Sequence, residues 1–137
     1  MDAPPTPEML AAVVKMVPFS GHLGLEIIAM GRDRVVVHAQ IKPEYCTSGG
    51  TAHGGFLMAV ADFTGAVGAF QVLPEGAKGT TTIESKTNMI GAAPAGTMLV
   101  ATATPVHVGR RTSVWTTRVE TADGKLISLT TQTQMAL

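Results

Sequence analysis

The stretch "TAHGGFLMAVADFTGAVGAF", residues 51–70, decides the fold of this chain. From its first glycine, Gly54, as far as Pro74, the only fully charged side chain is Asp62, and the apolar residues cover nearly every helical face. A helix that is apolar all round must be enclosed by the rest of the protein. We therefore expect a long central helix from about Gly54 to Leu73, with a buried carboxylate in its middle.

Segments on both sides of this helix have the alternation that is typical of strands. Upstream, "GLEIIAMG" and "RDRVVVHAQIK" are two predicted strands, joined by a short turn at residues 31–33. Downstream, four stretches rich in threonine and valine are predicted strands, at about Thr80–Ile90, Thr97–Val108, Arg111–Thr121 and Lys125–Met135. Because only short breaks such as Asp123-Gly124 separate these four strands, they cannot be parallel, and only a mostly antiparallel sheet fits.

The N-terminal residues add a short helix. Thr6 is a predicted N-cap with Pro7 at the first helical position, which places a helix at Pro7 to about Met16, ended by Pro18. The predicted fold class is α+β, a long central helix wrapped by a curved, mostly antiparallel sheet of about six strands. We expect one domain over residues 1–137, in which residues 1–20 form an N-terminal helical extension.

Composition excludes several classes of partner. Ten basic and ten acidic side chains give a net charge of zero, which argues against a nucleic acid partner. The chain is 45% hydrophobic and 15% charged, so we expect part of its surface to be covered in an oligomer. The single Cys46 cannot form an internal disulfide, and neither a signal peptide nor a membrane-spanning run is present. We expect a cytoplasmic protein with no membrane partner.

Three features together resemble the hot-dog-fold acyl-CoA thioesterases, in the phenylacetate-pathway and 4-hydroxybenzoyl-CoA branch that includes the thioesterase superfamily member 2 type. They are "HGG" at residues 53–55, Asp62 nine residues after the histidine, and "TIESKTNMIGAA" before long strands. The resemblance covers about Gly21 to the C-terminus. It implies an acyl-CoA substrate, no cofactor beyond the coenzyme A that the substrate carries, and a homodimer, often paired into a tetramer, with active sites at the dimer interface.

Asp62 and Gly54 are the first two candidate catalytic residues. A carboxylate among apolar neighbours is costly unless it is paired, and such groups cluster at functional sites. The resemblance implies that Asp62 is the general base or the nucleophile; the alternative is a structurally hydrogen-bonded acid.

At a helix start, free N–H groups suit developing negative charge, and the resemblance implies that the Gly54 amide is the oxyanion donor. Alternatively, Gly54 and Gly55, a candidate substrate-binding residue, only permit a tight turn.

His53 invites a pairing with Asp62 that helical geometry excludes within one chain. Nine residues at about 100° each separate the two side chains by about half a turn and about 13 Å along the axis. If both serve one site, they come from two subunits. The resemblance implies that His53 shapes the thioester end of the site; otherwise it is a hydrogen-bonded loop histidine.

Thr82 and Thr47 complete the candidate catalytic residues. Thr82 corresponds to a serine or threonine that, in the resembled family, orients the attacking water or the acid, although it is also an ordinary strand residue. Thr47 lies six residues before His53, where the family often has asparagine. A hydroxyl can replace only one of the two hydrogen bonds of an asparagine amide. We therefore expect Thr47 to affect substrate scope and rate more than the fold.

The remaining candidates concern substrate binding. Arg110 and Arg111 follow a glycine in a predicted turn, where they either bind the phosphates of coenzyme A or are simply exposed. Met58 and Met89 either form a pliable acyl-pocket wall or belong to the core. A Cys46 nucleophile is disfavoured, because a lone cysteine is more often a small packed residue, and the four histidines lack metal-ligand spacing.

The predicted function is hydrolysis of an aryl- or medium-chain acyl-CoA to a free acid and coenzyme A. One alternative is a non-catalytic acyl-CoA-binding hot-dog protein, which Thr47 in place of asparagine favours. A hot-dog hydratase or dehydratase is less favoured, because the proline-rich loop that precedes the helix in those enzymes is absent here.

Overall fold

The computed structural model describes residues 3–137, which form one long helix packed on an antiparallel sheet. The helices are α1 (Pro7–Met16), α2 (Pro18–His22) and α3 (Gly54–Gln71). The strands are β1 (Glu26–Met30), β2 (Val35–Gln40), β3 (Thr80–Met89), β4 (Met98–Val108), β5 (Thr112–Thr121) and β6 (Leu126–Ala136). These bounds confirm the helices and strands predicted above; the short α2 was not predicted. The predicted fold class is confirmed.

The sheet has six strands in the order β1-β2-β4-β5-β6-β3, and every neighbouring pair is antiparallel. Helix α3 crosses its inner face and contacts all six strands. The inner face of β2 presents Val35, Val37 and Ala39, each with no exposed surface, to this core. On β5, the fully buried Trp115 packs against α3 at Gly68, where the absence of a side chain leaves room for the ring.

The expectation that α3 is enclosed on all sides is wrong for the single chain. Gly55, Met58, Asp62 and Phe70 are all exposed, and their spacing places them along one face of the helix. The predicted burial of Asp62 is therefore also wrong for this chain. The physical reason is that one sheet covers only one side of a helix, so the opposite side stays open unless something else covers it. We call these four residues the open face of α3.

Helix α1 begins as its sequence predicts. The Thr6 Oγ1 accepts a hydrogen bond from the Met9 N–H at 3.3 Å, and Pro7 occupies the first turn. Hydrogen bonds from its own backbone N–H and from Thr6 lower the pKa of Glu8. Leu10 and Val14 are buried where α1 packs on β1. Residues 1 and 2 of the predicted N-terminal extension lie outside the described residues, and no described helix could cross a membrane.

Strand β3 contains a bulge that was not predicted from the sequence. Thr82 pairs with Gln134 of β6, but the next pair is Glu84 with Thr133, which leaves Ile83 as the extra residue. Thr82 and Met89 are seven residues apart and would point to opposite faces of a regular strand. Because of the bulge, both lie opposite buried residues of β6 and both face α3.

Candidate active site

The first amide of α3, the Gly54 N–H, is a free backbone donor. His53 is the N-cap, and its Nδ1 accepts a hydrogen bond from the Gly55 N–H at 2.8 Å. Within residues 3–137, the Gly54 N–H has no hydrogen-bond acceptor. The histidine therefore occupies the second amide and leaves the first for a ligand. Because Nδ1 is an acceptor, a neutral ring carries its proton on Nε2, as a second donor at this helix end.

Both glycines of "HGG" are in close contact with their surroundings. A Cβ on Gly55 would lie 3.0 Å from His53 Nδ1, so the absence of a side chain lets the imidazole approach its amide. A Cβ on Gly54 would lie 3.2 Å from Met89 Cε, at the far end of β3. The structure therefore brings Met89, a predicted acyl-pocket residue, to the helix start.

Asp62 lies on the open face of α3 and is held by the edge strand. Thr82 Oγ1 donates a hydrogen bond to Asp62 Oδ1 at 3.0 Å. The buried Gln132 of β6 donates from Nε2 to the Asp62 main-chain carbonyl at 3.3 Å. The structure thus brings together Asp62 and Thr82, which are 20 residues apart. One carboxylate oxygen is fixed in direction by this contact.

One chain does not bring the acid to the free amide. Helix α3 is continuous from Gly54 to Gln71, so Gly54 and Asp62 are separated by about 12 Å along its axis. Asp62 is associated with the Thr82 end of β3, whereas Gly54 is associated with its Met89 end. Within one chain, the candidate site residues therefore form two groups at opposite ends of the same strand, which we call the two half-sites.

The Thr47 hydroxyl makes its contacts within its own loop. Its Oγ1 accepts from the Gly49 N–H at 3.3 Å and lies 3.4 Å from Thr51 Oγ1. The Thr47 N–H donates to the Thr51 carbonyl at 2.8 Å, which closes the turn before the helix. In this chain Thr47 supports the loop that delivers His53.

The remaining candidates are exposed or half-buried in the single chain. Met58 is exposed on the open face of α3. Arg110 and Arg111 are exposed in the turn between β4 and β5, and Arg111 lines a narrow crevice beside Val72, at the C-terminal end of α3. Cys46 donates from Sγ to the Lys42 carbonyl at 3.5 Å. No cluster of three or more His, Cys, Asp or Glu side chains is present in the described part of the chain to hold a metal ion.

Two buried glutamines behind Asp62 escaped the sequence-based prediction. Gln132 and Gln134 are each 1% exposed, and both face α3 from β6. The tail "SLTTQTQMAL" is polar on both strand faces, so alternation alone did not reveal which face is inside. A usable signal was the spacing of Ser128, Thr130, Gln132 and Gln134, which recur at every second position.

Sequence and structure comparisons identify the class of protein. The profile of the thioesterase superfamily matches residues 49–128, which include the helix start, Asp62 and Thr82. This chain belongs to the thioesterase superfamily, and its fold is the hot-dog fold, as predicted.

The chain is also similar to individual proteins. The structure is similar to that of a thioesterase from Haemophilus influenzae, with a TM-score of 0.87 at 26% identity, covering 98% of this chain and 92% of that one. A hypothetical thioesterase from Streptococcus pneumoniae, solved with coenzyme A, has a TM-score of 0.76 at 25% identity, covering 82% and 85%. In sequence, the chain is 25% identical over 107 residues to 1,4-dihydroxy-2-naphthoyl-CoA hydrolase from Listeria monocytogenes, covering 78% and 85%.

Proposed function

We propose that this protein is an acyl-CoA thioesterase that hydrolyses an aryl- or medium-chain acyl-CoA to a free acid and coenzyme A. The observation that carries the proposal is the hydrogen bond of 3.0 Å from Thr82 to Asp62 on the open face of α3. It holds an accessible carboxylate in one orientation, as a base or a nucleophile requires. Membership of the superfamily and the acyl-CoA hydrolase among the relatives support the reaction type.

Asp62 has two chemically balanced roles in this proposal. As a general base, it takes a proton from a water whose oxygen attacks the thioester carbonyl carbon. As a nucleophile, the carboxylate attacks that carbon and forms an anhydride, which water then hydrolyses. In both cases the C–S bond breaks and coenzyme A leaves as a thiolate. The Gly54 N–H stabilises the oxyanion, and loss of such a donor typically costs about 3 to 4 kcal/mol.

A second copy of the chain is part of the proposal. The β1 edge of the sheet is packed against α1, whereas β3, at the other edge, is ten residues long. Ile83, Met89 and Ile90 are exposed along this edge, beside the open face of α3. A long apolar edge strand is a template for pairing with another chain. We infer that two copies join through β3, and that dimers pair further into tetramers.

The geometry of β3 favours active sites shared between two copies. An antiparallel pairing of β3 with itself, centred on the strand, sets the Thr80 end of one copy beside the Met89 end of the other. The first end is associated with Asp62 and the second with Gly54. Such a dimer would unite the two half-sites that a single chain keeps about 12 Å apart.

We propose substrate-binding roles for five further residues. Met58 and Met89 offer flexible apolar contacts for the acyl group, and Gly55 leaves room beside the thioester. Arg110 and Arg111 are candidates for the phosphates of coenzyme A. We take residues 1–137 as a single domain with an N-terminal extension, acting in the cytoplasm, where its one cysteine stays reduced.

The proposal is tested by thiol release from a panel of aryl- and aliphatic-CoA thioesters. We expect the wild type to hydrolyse at least one of them and Asp62→Asn to lose about 100-fold or more in kcat, since general acid–base groups contribute about this much. Glu75→Gln, an exposed acid in the turn after α3, is the matched control and should keep full activity. Unchanged turnover by Asp62→Asn would refute the mechanism. Binding without turnover of any thioester would favour the non-catalytic alternative.

A further inference from the structure

The hydrogen bond between Thr82 and Asp62 continues into the interior of the protein. Gln134 lies directly opposite Thr82 in the β3–β6 pairing and is 1% exposed. Its Nε2 donates to Thr82 Oγ1 at 2.5 Å, and its Oε1 accepts from Thr80 Oγ1 at 3.0 Å. With the bond to Asp62, four side chains form a chain from the half-buried Thr80, through the buried Gln134 and Thr82, to the exposed carboxylate.

Only one assignment of donors and acceptors allows all the hydrogen bonds of this chain to form together. An amide nitrogen is a donor only, so Thr82 Oγ1 must accept from Gln134. The hydroxyl has a single proton, and that proton is therefore left for Asp62. If the amide were reversed, its oxygen would compete for the same proton. The hydroxyl of Thr80 occupies the amide oxygen from the other side.

Burial separates the role of Gln134 from that of the groups that meet substrate. Asp62 is exposed and Thr82 is half-buried, whereas Gln134 is enclosed between α3 and the sheet. It can influence the exposed carboxylate through the Thr82 hydroxyl, which it contacts directly. A buried amide with both ends paired is also costly to disturb, so it keeps one orientation.

We propose that Gln134 is a positioning residue for the hydrolysis: its amide fixes the Thr82 hydroxyl as a donor to Asp62, which aims the carboxylate at the reacting water or carbonyl carbon. This inference rests on the proposed thioesterase function. Thr80 acts at the far end of the same chain by holding the amide oxygen.

The test is a double-mutant cycle of Gln134→Met and Thr82→Val, measured by thiol release and by thermal unfolding. Gln134→Met removes the amide and keeps most of the volume. We expect kcat to fall by about 10- to 100-fold, the range for one hydrogen bond to a charged group, with KM changed by less than about threefold. In the Thr82→Val background, the same substitution should lower kcat by less than about threefold, because the hydroxyl that it orients is already gone.

Two further variants keep the test informative if Gln134→Met folds poorly. Thr80→Val loosens the amide from its other end and should lower kcat in the wild type but not in the Thr82→Val background. Thr130→Val is the matched control, because it removes another partly buried cross-strand hydrogen bond between β6 and β3, to Thr87 at 2.7 Å. It should lower the melting temperature without a comparable fall in kcat.

The outcomes separate this inference from the proposed function. If the wild type is active and Asp62→Asn is not, a wild-type kcat in Gln134→Met would overturn the inference while the function stands. Full multiplication of the Gln134→Met and Thr82→Val effects would overturn it as well. If the wild type hydrolyses no thioester, or Asp62→Asn is fully active, the proposed function and the inference fall together.

Discussion

Asp62 shows why neighbours in sequence differ from neighbours in space. Ala61 and Phe63 are buried, which made a buried carboxylate between them a reasonable expectation. Each helical residue turns by about 100°, so adjacent side chains point to different faces, and Asp62 lies on the open face. The sequence singled out the residue as a candidate, and this remains a prediction. Its exposure and its Thr82 partner depend on which side of α3 the sheet covers.

Gly68 is a second residue whose meaning comes from packing. A Cβ at this position would lie 2.5 Å from Trp115 Cζ3, inside a core where that ring is fully buried. Alanine is favoured over glycine in a helix by about 1 kcal/mol, but overpacking costs about 1 to 3 kcal/mol or more. We expect Gly68→Ala to lower the free energy of unfolding by about 1 to 2 kcal/mol, measured by urea denaturation.

The matched control for Gly68→Ala is Gly21→Ala. Gly21 is also helical, in α2, and a Cβ there would meet nothing within 4 Å. This substitution should leave the free energy of unfolding unchanged or raise it slightly, because only helix propensity acts. Equal stability of the two variants would contradict the close packing of α3 on Trp115.

Among the elements, β3 was predicted from the sequence with accurate bounds but without its bulge. Its threonine-rich pattern gave the strand, within one residue at its end. The bulge at Ile83 was missed, because an extra residue in one strand is defined by the register of its partner β6. This bulge allows both Thr82 and Met89 to face α3, and so brings both half-sites to the same side of the sheet.

The β5–β6 hairpin was predicted from Asp123-Gly124, and its turn gives a prediction about pH. The Thr121 hydroxyl, and next the backbone N–H of Asp123, lower the pKa of the Asp123 carboxyl by hydrogen bonding to its charged form. A lowered folded-state pKa gives stability that is present above the unfolded value, about 4, and is lost as pH falls through the folded value. We expect Asp123→Asn to melt below the wild type at pH 7, with the difference shrinking on acidification below about pH 4.

Thr121→Ser and Thr121→Val form a matched pair for this hairpin. Serine keeps the hydroxyl that donates to Asp123, and valine removes it. The melting temperature of the serine variant should keep the acid dependence of the wild type, whereas the valine variant should lose the part that the Thr121 hydroxyl contributes. The same pH dependence in both would show that the hydroxyl is not the cause.

At the scale of the whole molecule, the single chain has an uncovered side. The open face of α3 and the free edge of β3 are adjacent, and the exposed Met58, Phe70 and Ile83 lie along them. Apolar exposure of this kind is typical of an interface, and it supports the proposed pairing of two copies. In the proposed dimer, a two-fold arrangement would unite the half-sites at opposite ends of β3.

The shared site is tested by mixing two inactive variants. Gly54→Pro removes the proposed oxyanion donor at the first helical position, where proline is well tolerated, and Asp62→Asn removes the acid. A mixed dimer then has one site with both defects and one intact site. After subunit exchange of equal amounts, we expect about a quarter of the wild-type activity, since about half of the dimers are mixed. Thiol release measures it, with sedimentation velocity to establish the dimer.

The control mixes Asp62→Asn with the double variant Gly54→Pro/Asp62→Asn. No arrangement of these two subunits contains an intact site, so activity should stay at the background level. Restored activity in the control, or none in the test mixture after exchange is verified, would argue that each site is built within one chain.

The sequence by itself determined the elements, the antiparallel character of the sheet, the superfamily and the candidate residues His53, Gly54, Asp62 and Thr82. Local signals carry all of these: a capping threonine, an apolar helix, Asp-Gly at a turn, and "HGG" before a lone acid. Only the tertiary structure decided that one face of α3 stays open, that a bulge turns both ends of β3 toward the helix, and that Gln134 stands behind Thr82. These features depend on contacts between residues far apart in the chain, such as the 52 positions between Thr82 and Gln134. Hydrophobic periodicity reports which side of an element is apolar, but it does not specify what will pack against that side.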